Sequence, residues 1–135
     1  MAKRVAINGF GRIGRLVYRA LLEKNFLDGE VEVVVVNDLV SADNLAYLLK
    51  YDSVHGVLPY EVKALDDSTI EVKSRDDKYS GSFKTLALKT SPDELPWEEY
   101  GVDIVIEATG LFTKHNDAVG HLTSGAKKVI ITAPS

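Results

Sequence analysis

Three glycines fall in the run Gly9-Phe10-Gly11-Arg12-Ile13-Gly14, and a carboxylate, Asp38, follows downstream. The glycines come after a short apolar run, Val5-Ala6-Ile7, and open a helical pattern. Asp38 closes a second apolar run, Val31 to Val36. Strand, glycine turn, helix, strand and acid in that order can hold a diphosphate and a ribose. Gly9 permits a tight turn out of the strand, Gly11 removes a side chain where a pyrophosphate would approach, and Gly14 lets the helix lie close to the sheet. Main-chain amides and the helix dipole at Arg12 and Ile13 attract phosphate. A carboxylate at Asp38 accepts hydrogen bonds from ribose hydroxyls and repels a 2′-phosphate, which favours NAD over NADP. Leu39 and Val40 follow it, not arginine or lysine. The plainer alternatives are a tightly packed turn for the glycines and a solvated turn or helix cap for Asp38.

Other candidates carry less. Thr109-Gly110 and Thr132 stand at the ends of later apolar runs, where turn chemistry explains them equally well. His55, His115 and His121 lack metal-ligand spacing, and the last two fall on a helix expected to be exposed. The pairs Asp66-Asp67, Asp76-Asp77 and Glu98-Glu99 read as solvated surface. No catalytic residue and no metal site is expected within this chain.

The elements that must place these residues follow from periodicity. A first strand is expected over Arg4 to Asn8 and a helix over Arg12 to Phe26, with Ile13, Leu16, Val17, Ala20, Leu21 and Leu22 on its apolar face and Arg12, Arg15 and Arg19 elsewhere. The β-branched run Val31 to Val36 suits a parallel strand buried on both faces. Ser41 caps a helix through Lys50. Alternating patterns at Glu61–Leu65, Thr69–Lys73 and Ser82–Leu88 read as an antiparallel excursion across residues 60–90. Ser91 to Pro96 is a loop or a helical turn. A strand at Val102–Ile106, a helix from Thr113 to about Ser124 with Gly125 at its C′ position, and a strand at Lys128–Thr132 restore the parallel rhythm. The expected fold is α/β: a truncated, Rossmann-type doubly wound sheet, mainly parallel, with the Val102 strand beside the Arg4 strand and opposite the Val31 strand. Residues 9–14, 37–38 and 108–110 would then meet at one crevice.

Composition bounds the function. The 135 residues form one domain, with 45% hydrophobic and 27% charged residues. A net charge of -4 argues against a nucleic-acid surface. No apolar run reaches membrane-spanning length, Met1-Ala2-Lys3-Arg4 does not read as a signal peptide, and a cytoplasmic location is the default. The absence of cysteine excludes disulfides, thiolate metal sites and a cysteine nucleophile here.

Five segments carry a specific resemblance. Ile7-Asn8-Gly9-Phe10-Gly11-Arg12-Ile13-Gly14-Arg15, Val36-Asn37-Asp38-Leu39, Leu48 to Gly56, Glu107 to Thr113 and Gly125 to Ser135 together resemble the opening of the phosphorylating glyceraldehyde-3-phosphate dehydrogenase family, in order and across essentially the whole chain. The resemblance implies an NAD-binding domain over residues 1–135, part of a homotetrameric enzyme that uses NAD to oxidise the aldehyde to an acyl phosphate. It implies cofactor contacts from Asn8, Gly9, Phe10, Gly11, Arg12, Ile13 and Gly14 in the first loop. Asn37 and Asp38 follow from the second, and Thr90, Thr109, Gly110, Phe112 and Thr132 from later segments.

Some features depart from that pattern. Thr90 stands where the family has arginine; a main-chain contact to adenine survives that exchange and one through a guanidinium does not. The segment Asp66 to Ser82 is longer than in many members. The family continues into Ser-Cys-Thr-Thr-Asn, whose thiolate is the nucleophile, and later supplies an activating histidine. The expectation is therefore the cofactor-binding part of a longer enzyme, inactive alone, lacking its C-terminal helix and exposing apolar surface near Lys128–Thr132. Two other readings stay open: part of an erythrose-4-phosphate dehydrogenase, and a non-catalytic dinucleotide-binding or interaction module.

Overall fold

Val31 to Val36 can be buried on both faces only if strands flank it and helices cover it, and this arrangement organises the molecule. The computed structural model describes residues 3–23, 31–38, 42–52, 56–57, 60–74, 80–87, 94–108 and 115–132. Strand β1 (Lys3–Asn8) lies parallel between β2 (Val31–Asn37) and β8 (Ile104–Glu107). Strand β9 (Lys128–Ile131) extends the parallel set beyond β8. On the other side β7 (Ser80–Leu86) runs parallel to β2. Strands β6 (Thr69–Ser74) and β5 (Tyr60–Asp66) add antiparallel to it, giving one seven-stranded sheet in the order β5-β6-β7-β2-β1-β8-β9. A separate pair, β3 (Tyr51–Asp52) and β4 (Gly56–Val57), is short and antiparallel.

The doubly wound placement of β2, β1 and β8 is as expected. The antiparallel excursion is present as β5, β6 and β7, and its last strand also joins the main sheet as the parallel outer neighbour of β2. Alternation identifies a strand, while the choice of neighbour is made by β2's open hydrogen-bonding edge. Residues 75–79, between β6 and β7, lie outside the described residues.

The valine run is divided by a bulge. Val5 pairs with Val33 but Ala6 pairs with Val35, so β2 carries one extra residue, Val34. Val33 and Val36 consequently pack on one face with Ile7, Phe10, Tyr18 and Leu45, while Val34 and Val35 join Ala6, Trp97 and Val105 on the other.

Helix α1 (Arg12–Glu23) buries Gly14, Tyr18 and Leu22, a four-residue repeat that continues one stripe along the helix. Two expectations about this helix need correction. Ile13 is 48% exposed and Ala20 is exposed, off the stripe. Arg19 is buried: its guanidinium donates to the carbonyls of Leu49 (3.1 and 2.8 Å) and Lys50 (2.9 Å). Those carbonyls end α2 (Ala42–Lys50), where a cation is favoured by the helix dipole. Helix α3 (His115–Thr123) ends at Gly125, whose φ of 122° satisfies its expected C′ role. A Cβ there would lie 2.7 Å from the backbone nitrogen of Glu98, so α3's end is seated directly on the Trp97–Glu98 turn.

Opposite ends of the parallel strands are tied differently. At their amino ends Asp103 accepts the Arg4 N–H at 2.9 Å and lies 3.1 Å from the Lys127 ammonium. The Arg4 bond first, and then Lys127, hold its carboxyl below the usual carboxylate range. At the outer edge β9 leaves Ile130 53% exposed, apolar surface of the kind expected there, and Val119 and Leu122 of α3 are exposed as well.

Candidate cofactor cleft

The carboxyl ends of β2, β1 and β8 carry the three loops singled out from sequence, and main-chain bonds fasten them together. Gly9 N–H donates to Asn37 O and Ala108 N–H donates to Asn8 O, each at 2.8 Å. Between β1 and β8 the connections depart in opposite directions, the position at which ligands bind in open α/β sheets.

The glycine turn has a different physical demand at each glycine. Gly9 has φ of 95°, a left-handed conformation that side chains disfavour. A Cβ on Gly14 would sit 2.2 Å from the Gly9 carbonyl oxygen and 3.2 Å from Ile7 Cγ2, so the first turn of α1 lies against the end of β1. A Cβ on Gly11 would meet nothing within 4 Å, and Gly11 is exposed. That open surface lies at the amino end of α1, where unpaired amides and the dipole favour an anion. A diphosphate fits this chemistry: a helix start with positive character and an approach kept clear of side-chain atoms.

Asp38 joins the second loop to the first. Its Oδ2 accepts the N–H of Phe10 at 2.8 Å, while its own N–H donates to Leu86 O at 2.8 Å. The carboxylate is half-buried at the cleft rim. Carboxylate oxygens accept more than one hydrogen bond each, so this anchoring is compatible with sugar hydroxyls as further donors.

Several expected contact residues take other positions. The Phe10 ring is wholly buried, edge-on to Tyr18 and Phe83, because it fills the core under the turn; its contribution at the surface is its backbone. Asn8 and Asn37 are buried as well, with their amides turned inward. Ile13 stands exposed beside Gly11. Of Arg12 only the backbone is described. Thr132 lies at the end of β9, its N–H and hydroxyl both donating to Glu107 O at 3.1 Å, which brings it to the β8 side of the cleft. Thr90, Thr109, Gly110 and Phe112 lie outside the described residues, as do the histidines His55 and, for its side chain, His115.

Sequence reasoning missed a buried polar chain directly behind the cleft. Asn37 Nδ2 donates to Asn8 Oδ1 at 3.0 Å, and Asn8 Nδ2 donates to Glu107 Oε1 at 2.7 Å. His121 Nε2 lies 2.7 Å from the same oxygen, and Trp97 Nε1 donates to His121 Nδ1 at 2.9 Å. His121 was expected on an exposed helix face but is completely buried, because Glu107 and Trp97 together satisfy both of its ring nitrogens. No local signal marked it, because the groups that satisfy it come from two other segments.

Among the described residues no cluster of His, Cys, Asp and Glu could hold a metal ion, and no helix is long and apolar enough to cross a membrane.

Comparison with known proteins agrees with this geometry. Residues 3–115 match the family model described as glyceraldehyde 3-phosphate dehydrogenase, NAD binding domain. The chain is 49% identical over 136 residues to glyceraldehyde-3-phosphate dehydrogenase of Mycobacterium leprae (strain TN), covering 100% of this chain and 38% of that protein. It is 50% identical over 135 residues to the Geobacillus stearothermophilus protein of that name, with 100% and 37% covered. Against glyceraldehyde-3-phosphate dehydrogenase 2 of Bacillus subtilis (strain 168) the identity is 48% over 134 residues, covering 99% of this chain and 36% of the relative. The chain thus spans well under half the length of these curated relatives.

Proposed function

Because this chain belongs to the family of glyceraldehyde 3-phosphate dehydrogenase NAD-binding domains, we propose that its strand-end cleft holds NAD for a phosphorylating aldehyde oxidation. NAD is the cofactor that the family's description carries and the one that the glycine turn and Asp38 call for. In the complete protein the aldehyde is glyceraldehyde 3-phosphate and the product 1,3-bisphosphoglycerate. Residues 1–135 form the cofactor domain, and the nucleophile and the activating histidine come from elsewhere in the polypeptide.

When bound, NAD supplies the acceptor for a hydride. This chain's own residues bind and orient it. The amides opening α1, with the clear surface at Gly11, receive the diphosphate. Asp38 receives the adenosine ribose through a carboxylate already oriented by Phe10 N–H. Thr132, beside β8, serves the nicotinamide side. The family resemblance adds Thr90, Thr109, Gly110 and Phe112 to the cofactor contacts proposed for this chain.

The observation that carries this reading is the bond between Phe10 and Asp38. It supports the reading because it ties a carboxylate, suited to accept from ribose hydroxyls, to the glycine turn. The names of the relatives favour a glyceraldehyde-3-phosphate enzyme over the erythrose-4-phosphate and non-catalytic readings. A cytoplasmic homotetramer is the setting this reading implies.

Calorimetric titration of the intact protein with NAD and NADP tests it. NAD binding well ahead of NADP is expected. Equal or tighter NADP binding contradicts the role given to Asp38, and an absence of binding to either contradicts the cleft assignment.

A further inference from the structure

The buried chain behind the cleft has a direction at every bond, and the direction follows from Trp97. An indole N–H only donates, so His121 Nδ1 accepts it and the imidazole proton resides on Nε2. Nε2 then donates to Glu107 Oε1. The same oxygen accepts from Asn8, which must therefore turn its NH2 group toward Glu107 and its carbonyl toward Asn37. Asn37 in turn presents its NH2 group to Asn8. One carboxylate thus sets the orientation of two amides and the tautomer of one imidazole.

Each member sits one residue from a cleft loop or braces one that does. Asn8 precedes Gly9, Asn37 precedes Asp38, and Glu107 precedes Ala108. His121 and Trp97 brace Glu107 from α3 and from the turn beneath it. All five side chains are at most 6% exposed. Burying a carboxylate is expensive, and well-packed apolar residues commonly give equal or better stability, so stability alone does not account for the arrangement. Fully satisfied polar networks instead fix one geometry.

We propose that Glu107 and His121 are positioning residues of the cofactor cleft, setting the spacing between the glycine turn and Asp38 through Asn8 and Asn37. This rests on the dinucleotide reading above. The ligand that pays for a wrong spacing is one that touches both loops. NAD does so; adenosine, which lacks the diphosphate, reaches only the Asp38 side.

The test uses the intact protein, with NAD and adenosine affinities measured for wild type and Glu107→Gln, and histidine 15N resonances recorded for both. Wild-type His121 is expected as the Nε2–H tautomer. Glu107→Gln is expected to weaken NAD binding about tenfold, the worth of a buried hydrogen bond to a charged group, and to change adenosine binding by less than about threefold. Should that variant not fold, Trp97→Phe removes the indole donor to His121 Nδ1 and keeps an aromatic ring in its place. It is expected to keep the Nε2–H tautomer, since Glu107 still accepts there, but to loosen the ring and weaken NAD binding about threefold. Unchanged NAD affinity in a folded variant, equal losses for NAD and adenosine, or an Nδ1–H tautomer in the wild type each overturn the inference while leaving the dinucleotide reading intact. A wild type that does not bind NAD overturns both.

Discussion

Phe10 donates its backbone N–H to Oδ2 of Asp38 at 2.8 Å, joining the glycine turn after β1 to the acid that ends β2. The bond makes the turn and the acid one unit. The carboxylate is held where it can accept from a sugar, and the turn's first free amide is withdrawn from phosphate. On the proposed assignment, the affinity of this cleft for NAD and the shape of the glycine turn are coupled through this one side chain.

Asp38→Ala should lose both functions of that side chain. NAD affinity is expected to fall about tenfold, and NADP, no longer repelled, should bind within a few-fold of NAD. Asp38→Asn keeps an acceptor for Phe10 but removes the charge, so it should restore the turn while still admitting NADP. Competition binding with both dinucleotides checks each point.

Gly14→Ala places a Cβ against backbone, not a yielding side chain. The helix must move off β1, at an expected loss of about 1–3 kcal/mol in stability, and NAD binding should weaken with it. Urea denaturation and calorimetry on the same protein read the two effects. Gly11→Ala, which meets open space, should leave stability nearly unchanged and weaken only NAD.

Arg19→Ala removes the three bonds that cap α2. A loss of about 2–4 kcal/mol is expected, since the bonds are charge-assisted and their carbonyl partners are left buried. Arg19→Lys keeps the charge without the fork and should recover only part of it. Denaturant unfolding with the slope held constant measures both.

Acid sensitivity should trace in part to Asp103. Its folded carboxyl lies below its ordinary value of 3.8, held there by Arg4 N–H and Lys127. A depressed carboxylate contributes stability that is complete above the unfolded value and is lost as pH falls through the folded one. Wild type should therefore lose stability more steeply than Asp103→Asn below pH 3.8, and the two should run parallel above about pH 5. Stability against pH for both proteins gives the comparison.

The glycine turn, the valine strand and the acid were legible in sequence because each is a local pattern. A left-handed Gly9, a β-branched run and a strand-end carboxylate announce themselves within a few residues. The expected neighbours of β1 were legible too, since chain order and crossover handedness determine them. What stayed hidden depends on distant partners. Arg19 looked like a solvated charge until the carbonyls of Leu49 and Lys50 were beneath it. His121 looked exposed because Glu107 and Trp97, which satisfy it, come from two other segments. The inward turn of Asn8 and Asn37 likewise exists only once β1 and β2 are paired. The split of the valines between two faces required the bulge at Val34, which alternation alone does not reveal.

The most direct test of the cleft is backbone amide resonance mapping of the intact protein as NAD is added to saturation. The largest shifts are predicted at residues 9–14, at Asp38 and at Ala108, with β5 and β6 at the far edge of the sheet unmoved. Shifts concentrated on β5 and β6, or no saturable change in the glycine turn, would contradict the assignment.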